Sequence, residues 1–238
     1  MNSQGYLLCC FDNELYFKLT ERIISNIRLY DNTRKICILT NNINYFNNHI
    51  DENIIIKLFD YNNHLHPKIN INNTWNRHGL IPKVYQSLYT PFDITMFLDV
   101  DMIFYKDFTY IWQLYNETNI SILCPGFANE NNRSPSHWHW GGINNIMSSI
   151  GINVPQVGTT LFVYNNKLKD IIINDINNIF NNLEKWNVLS KFRNGYPDEI
   201  IYAIILGYEK IRPHALLHDF IYNINNCDAI NKIIKPNT

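Results

Sequence analysis

The stretch ITMFLDVDMIFY, residues 94–105, decides how the rest of the sequence is interpreted. Its first part, residues 94–98, is a short apolar run typical of a strand that is buried on both faces. Such a strand accommodates Asp99 and Asp101 only at its end, where the two carboxylates can converge on one cation if the chain bends. Carboxylate oxygens suit Mg²⁺ or Mn²⁺, which take their remaining ligands from water and phosphate. The stretch therefore predicts a metal site for a diphosphate, and the alternative is an acidic pair that merely ends a strand in a turn.

Composition narrows the class of protein. The chain has 238 residues, 46% of them hydrophobic, which fits one α/β domain with a sizeable core. A net charge of -1 without a basic run argues against nucleic acid as a partner. No stretch approaches the roughly 18 apolar residues of a membrane span, and the N-terminus has no positively charged region typical of a secretory signal.

The cysteines and the amino-acid usage suggest the compartment of the protein and the kind of genome that encodes it. Four of the five cysteines fall in predicted strands without metal-ligand spacing: Cys9, Cys10, Cys37 and Cys124. This pattern predicts small, reduced core residues in a cytoplasmic protein. Asn and Ile are heavily used, and because Asn, Ile, Lys, Tyr and Phe have AT-rich codons, we expect an AT-rich genome such as that of a large virus.

The order of elements before residue 94 predicts a mainly parallel sheet. Apolar runs at 6–11, 35–39 and 54–59 are typical of strands and alternate with two helical segments. In the first helix the spacing from Leu15 to Tyr30 predicts an inner face that includes Leu15. Ligands of such sheets bind outside the carboxyl ends of the strands. The end of the first strand should therefore face the same crevice as Asp99.

The apolar strand followed by Asp-Val-Asp resembles the metal site of GT-A glycosyltransferases. Residues 8–16 are similar to the opening strand and nucleotide-contacting loop of the glycogenin-like, retaining members. The resemblance implies one GT-A-like domain over 1–238, a Rossmann-type, mainly parallel sheet flanked by helices, with a nucleotide-binding half at 1–105 and an acceptor-binding half at 106–238. It also implies Mn²⁺ (or Mg²⁺), a nucleotide-diphosphate sugar such as a UDP-hexose, retention of configuration, a carbohydrate or protein acceptor, and a possible homodimer.

The same resemblance assigns residues to the donor. It implies that the donor nucleotide is bound by residues at the ends of two strands and on the first helix: Cys10, Phe11, Tyr16, Asp99, Val100 and Asp101. Tyr16 would stack on uracil, whereas the alternative places it on the inner face of its helix. Lys83, on a predicted helix at 79–89, matches an inward lysine that contacts the donor sugar or phosphate. The alternative for Lys83 is an ordinary surface lysine.

Two later segments extend the resemblance. Residues 157–165 are similar to a strand that reads Asn-Ser/Thr-Gly-Leu-Phe-Val-Tyr, although Gly-Thr-Thr at 158–160 departs from the usual order. Asp198 and Glu199 match an Asp-Gln pair at a helix start. This match implies that Asp198 lies beside the donor sugar and supports the reacting centre. The alternative for Asp198 is a carboxylate that caps the helix.

The C-terminal part supplies the third metal ligand in the family. The segment that carries this ligand is not intact here, and His218 is the first candidate, with His214 the second. Two other functions are alternatives to sugar transfer. A nucleotidyltransferase would need a Gly-rich, basic loop after the first strand, which residues 9–16 lack. A non-catalytic carbohydrate-binding module would use Trp138 and Trp140 and need neither metal nor nucleotide.

Overall fold

The computed structural model describes residues 3–47, 52–64, 66–67, 69–70, 72, 81–118, 122–125, 151–155, 157–182, 198–216 and 221–223. The strands within these residues are β1 (Gln4–Cys10), β2 (Lys35–Thr40), β3 (Ile54–Leu58), β4 (Ile94–Leu98), β5 (Met102–Phe104), β6 (Ile122–Pro125), β7 (Leu161–Asn165), β8 (His214–Leu216) and β9 (Ile221–Asn223). The helices are α1 (Glu14–Arg28), α2 (Ile43–Phe46), α3 (Ile81–Tyr85), α4 (Tyr110–Thr118), α5 (Lys167–Asn182) and α6 (Asp198–Tyr208), with 3₁₀ turns at Tyr61–His64 and Gln86–Leu88.

Seven strands form one sheet in the order β3-β2-β1-β4-β7-β6-β8. Strand β1 is parallel to β2 and β4, β2 is parallel to β3, and β6 is parallel to β8. Strand β7 runs antiparallel to both of its neighbours, β4 and β6. The predicted single α/β domain with a mainly parallel sheet is confirmed. The reversed β7 was not predicted, and it brings the start of β7, rather than its end, to the carboxyl end of β4.

Helices cover both faces of the sheet. Successive strand residues point to opposite faces, so Leu7 of β1 joins a core with α5 and α6. Tyr6 and Leu8 join a second core with α1 and α4. All five residues of β4 are buried, as expected for a central strand whose two faces are both covered. This burial means that a ligand can reach side chains only at the ends of β4.

Helix α1 differs from its predicted orientation in the first turn. Asn13 caps the helix by accepting a hydrogen bond from the Leu15 amide at 2.9 Å. The buried stripe of α1 runs through Phe17, Thr20, Ile23 and Ile27. Leu15 is 59% exposed, so the predicted inner face was wrong at this position. Only three residues connect β1 to α1, so the first turn lies at the edge of the sheet rather than over its face.

A buried carboxylate network ties the turn between α1 and β2 to the second core. Asp31 accepts hydrogen bonds from the Tyr6 hydroxyl at 2.7 Å, from Arg34 Nη1 at 2.7 Å and from the Thr33 hydroxyl at 2.9 Å. The Tyr6 hydroxyl in turn accepts from Trp112 Nε1 at 3.0 Å. Burial acts to raise the pKa of Asp31, but the hydrogen bonds from Tyr6 and Arg34 outweigh it and hold the pKa well below its usual range.

Replacing this carboxylate is expected to destabilise the fold. Asp31→Asn should lower the free energy of unfolding at neutral pH by about 3 kcal/mol, because it leaves Arg34 without its anionic partner and points an amide donor at other donors. The native pKa is below the unfolded value of about 4, so the stabilisation is complete above that pH and is lost as pH falls through the folded pKa. Urea denaturation of both proteins between neutral pH and pH of about 3 measures this. The exposed control Asp170→Asn should change stability little, and an equal loss in both variants would contradict the role of Asp31.

Two expectations from composition can be compared with the structure. Cys9, Cys10, Cys37 and Cys124 are buried free thiols, as predicted. Across the described part of the chain, none of the helices is both long and apolar enough to cross a bilayer.

Candidate active site

Three charged side chains from three elements meet at the carboxyl end of β4. Asp99 directly follows β4, Lys83 lies on α3, and Asp198 is the first residue of α6. Lys83 Nζ lies 2.6 Å from Asp99 Oδ1 and 3.9 Å from Asp198 Oδ2. The Lys83 side chain is only 21% exposed, so it is not an ordinary surface lysine. The structure thus brings together three of the residues that the sequence assigned to one site.

The reversed strand β7 holds this cluster in place. The Asp99 amide donates to the Thr160 carbonyl at 2.9 Å, which extends the pairing of β4 and β7 by one residue. The Thr159 hydroxyl donates to Asp198 Oδ2 at 2.7 Å. Thr159 is buried, and it links the start of β7 to the start of α6. The sequence gave no signal for the bond between Thr159 and Asp198, which lie 39 positions apart.

Burial and mutual charge shift the pKa values of the cluster. Burial raises the pKa of Asp99 to about 7; Lys83 opposes this shift, and the charges of Asp101 and Asp198 add to it. Burial also raises the pKa of Glu199 to about 8, with the charge of Asp198 contributing. For Lys83, burial acts to lower the pKa, but Asp99 and Asp198 outweigh it and raise the pKa above its ordinary value. Lys83 is therefore a fixed positive charge at neutral pH.

Residues 99–101 form the bend between β4 and β5, which belong to two different sheets. Val100 is 5% exposed, so its side chain belongs to the core, and only its backbone is available to a ligand. Asp101 is half-buried, and its charge raises the pKa of both Asp99 and Lys83. The acidic pair therefore does end a strand in a turn. The same turn places both carboxylates within electrostatic range of one another.

The donor set of this turn fits a hard divalent cation. Asp99 and Asp101 offer carboxylate oxygens, and Mg²⁺ or Mn²⁺ is commonly held by one or two carboxylates together with phosphate oxygens. One Asp99 oxygen contacts Lys83, which leaves its second oxygen and Asp101 as candidate ligands. No group of three His, Cys, Asp or Glu side chains that could hold a metal ion occurs among the residues that the structure describes. From the described part of the chain, the acidic pair would supply the protein ligands, with water and phosphate oxygens beside them.

The structure separates His214 from the acidic pair. The registers place His214 level with Leu123, Val163 and Met96, three strands away from β4. Three strand spacings amount to about 14 Å, too far for a shared metal ion. The second candidate for the third ligand is therefore wrong. The first candidate, His218, lies outside the described residues and stays a prediction.

The predicted nucleotide loop is only partly open to a ligand. Cys10 is fully buried in a small cluster, and burial raises the pKa of its thiol to about 12. Phe11 is 3% exposed and packs edge-to-face against Phe59 and Tyr61, with ring centroids 5.6 and 6.0 Å away. The side chains of Cys10 and Phe11 therefore belong to the core, and donor binding by these two residues stays a prediction for their backbone.

Tyr16 differs from its two neighbours in the predicted loop. It lies in the first turn of α1, directly beyond the end of β1, and is 40% exposed. Tyr16 is therefore not among the buried residues of α1. An exposed phenol ring at the carboxyl edge of the sheet is available for stacking on a planar ligand.

Comparison of structures identifies the class to which this fold belongs. Mouse xyloside xylosyltransferase 1 is similar with a TM-score of 0.56 and 9% identity, over 90% of this chain and 85% of that one. The galactosyltransferase LgtC, solved with donor and acceptor sugar analogs, gives 0.50 and 13% over 92% and 86%. The glycosyltransferase GlyE of Streptococcus pneumoniae TIGR4 gives 0.51 and 13% over 90% of this chain and 45% of that chain.

The chain therefore has the GT-A fold of these glycosyltransferases. The sequence itself matches no protein-family profile and no curated protein. Identities of 9 to 13% support a shared fold alone. The glycogenin-like subfamily remains a prediction from the sequence motifs.

Proposed function

We propose that the chain is a metal-dependent glycosyltransferase that transfers a hexose from a UDP-sugar to a carbohydrate or protein acceptor with retention of configuration. The observation that carries this proposal is the contact of Lys83 with Asp99 and Asp198 at the carboxyl end of β4. Ligands of doubly wound sheets bind at this edge. A buried cation beside several carboxylates is suited to a substrate that carries both an anionic diphosphate and a polar sugar.

Lys83 supplies positive charge for the diphosphate. Its ammonium stays protonated at neutral pH because of Asp99 and Asp198, and its fixed position means that little reorganisation is needed when charge develops on the leaving group. A divalent cation held by Asp99 and Asp101, when bound, would act as a Lewis acid on that diphosphate. By holding that cation, the second oxygen of Asp99 and the carboxylate of Asp101 would also orient the donor diphosphate.

Asp198 is placed to act on the sugar. Thr159 holds one of its oxygens at 2.7 Å, so the carboxylate is fixed in orientation at the start of α6. In the proposed reaction the acceptor oxygen bonds to the anomeric carbon as the bond from that carbon to the phosphate oxygen breaks. The acceptor proton passes to an oxygen of the departing diphosphate. Asp198 would orient the sugar hydroxyls and stabilise the positive charge that develops at the anomeric carbon.

Tyr16 is proposed to stack on the uracil of the donor. Tyr16→Ala should then weaken UDP binding in the presence of Mn²⁺ by about tenfold, because a stacked ring contributes about 1 kcal/mol or more. Tyr16→Phe, which keeps the ring, should bind UDP as the unchanged protein does. Tyr110 on α4 provides a matched control, since it is an exposed tyrosine elsewhere on the surface. Equal affinities for UDP in Tyr16→Ala and Tyr110→Ala would exclude the stacking role.

A panel of nucleotide sugars tests the proposed activity. The protein is incubated with each donor and Mn²⁺, and the release of free nucleotide diphosphate is measured with and without an acceptor. Release from a UDP-hexose is expected, and release from none of the donors would refute the proposal. The alternative of a non-catalytic carbohydrate-binding module rests on Trp138 and Trp140, which lie outside the described residues. That alternative predicts binding of free sugars without release of any nucleotide.

A further inference from the structure

We propose that Tyr202 is a positioning residue that fixes the position of Lys83 in the active-site crevice. The kinetic consequence of this inference rests on the proposed function, whereas its structural consequence does not. Tyr202 lies on α6, four residues after Asp198. Residues four apart share one face of a helix. The same face of α6 therefore carries both Asp198 and the side chain that contacts the helix of Lys83.

The contact is a hydrogen bond from a buried phenol to the backbone of α3. The Tyr202 hydroxyl donates to the Lys83 carbonyl at 2.7 Å and lies 3.2 Å from the Val84 carbonyl. Gln86 Nε2 donates to the Tyr202 hydroxyl at 3.3 Å, which directs the phenol proton toward the carbonyls. Tyr202 is fully buried, and burial raises the pKa of its hydroxyl, so it remains a proton donor at neutral pH.

Helix α3 needs such an external contact. It has five residues, Ile81–Tyr85, which is too short for a helix to be stable without tertiary packing. The last carbonyls of any helix lack partners within the helix. The Tyr202 hydroxyl donates a hydrogen bond to one of these carbonyls, that of Lys83. This bond fixes the backbone from which the Lys83 side chain extends toward Asp99.

One helix therefore sets the geometry of two active-site groups. Asp198 is the first residue of α6. Tyr202 lies one turn further along α6 and donates a hydrogen bond to the backbone of α3. In this arrangement Lys83 Nζ lies 3.9 Å from Asp198 Oδ2. Loss of the Tyr202 hydroxyl should loosen Lys83 without removing a group that touches the substrate.

The test compares Tyr202→Phe with a matched control, Tyr115→Phe. The phenylalanine keeps the packing of the ring against Phe162, whose centroid is 4.9 Å away. Tyr115 is another buried tyrosine, and it belongs to the core on the opposite face of the sheet. The first readout needs no enzyme activity: acylation of Lys83 by an N-hydroxysuccinimide ester, measured by mass spectrometry relative to Lys169. It should rise about fivefold in Tyr202→Phe, the effect of one lost hydrogen bond, and not in Tyr115→Phe.

The second readout is kinetic. With a donor found active in the panel, Tyr202→Phe should lower kcat by about fivefold and change KM less, because the charge of Lys83 acts mainly on the departing diphosphate. In a Lys83→Met background the same Tyr202→Phe change should have no further effect on kcat. A merely structural tyrosine would lower kcat equally in both backgrounds.

The outcomes separate this inference from the proposed function. Unchanged acylation of Lys83 in a folded Tyr202→Phe protein overturns the inference, whether or not the chain transfers sugar. Increased acylation in a protein that acts on no nucleotide sugar leaves the positioning of Lys83 intact and removes the proposed function. If Tyr202→Phe does not fold, Gln86→Leu takes its place, with an expected rise in acylation of about twofold and the same outcome contradicting the inference.

Discussion

The double variant Asp99→Asn/Asp101→Asn is expected to lose sugar transfer by at least about 10³-fold in kcat/KM, because it removes both carboxylates proposed to hold the divalent cation. The fold should survive. Asparagine has nearly the shape of aspartate, and Lys83 keeps Asp198 as a second anionic neighbour. Burial raises the pKa of Asp99 to about 7, so a neutral side chain at position 99 is expected to cost little stability. Steady-state kinetics with an active UDP-sugar, alongside circular dichroism and urea denaturation, measures both expectations.

A charge-matched control accompanies this variant. Asp170→Asn/Glu117→Gln removes two carboxylates from exposed positions on α5 and α4, and it should retain the activity of the unchanged protein. A folded Asp99→Asn/Asp101→Asn protein with full activity would refute the metal role of the acidic pair.

Lys83→Met is expected to have the second largest effect, a fall in kcat/KM of about 10²- to 10³-fold. Methionine keeps the length of the side chain but removes the charge that faces the diphosphate. Asp99 and Asp198 are then left without the cation between them, which makes the crevice more repulsive to an anionic donor. Lys83→Arg keeps the charge but not the shape of the ammonium, so intermediate activity is expected. Initial rates over a range of donor concentrations measure these changes.

Lys169→Met serves as the control for Lys83→Met. Lys169 is a half-buried lysine on α5, and its Nζ donates to the Thr90 carbonyl at 3.4 Å, away from the crevice. Its replacement should leave kcat/KM unchanged. If Lys83→Met and Lys169→Met behave alike, Lys83 has no part in catalysis.

Local sequence patterns predicted the first half of the sheet well. Strands β1 to β4 each contain a short apolar run, and polar segments separate them from the helices. The direction of β7 could not be predicted, because an apolar strand has the same pattern whichever way it runs. The inner face of α1 was misjudged at Leu15, since two stripes of similar apolar spacing compete. Both stripes share Ile23 and Ile27, and tertiary packing buries Phe17 rather than Leu15 in the first turns.

The site could be predicted only as a set of candidates. The position of Asp99 after a buried strand is a local signal, and the resemblance to a known fold added Lys83 and Asp198. The contacts that hold these groups are nonlocal. Thr159 reaches Asp198 over 39 positions, and Tyr202 reaches Lys83 over 119. A single sequence contains no pattern that pairs residues at such distances, and the structure alone provides those contacts.

The central claim is that Asp99 and Asp101 bind a divalent cation together with the diphosphate of the donor. Isothermal titration of UDP into the unchanged protein, once with Mn²⁺ and once with EDTA, tests it most directly. We expect binding with Mn²⁺ that weakens by at least about 100-fold in EDTA. In Asp99→Asn/Asp101→Asn the affinity with Mn²⁺ should fall to that weak level. Equal affinity for UDP with Mn²⁺ and with EDTA would contradict the claim.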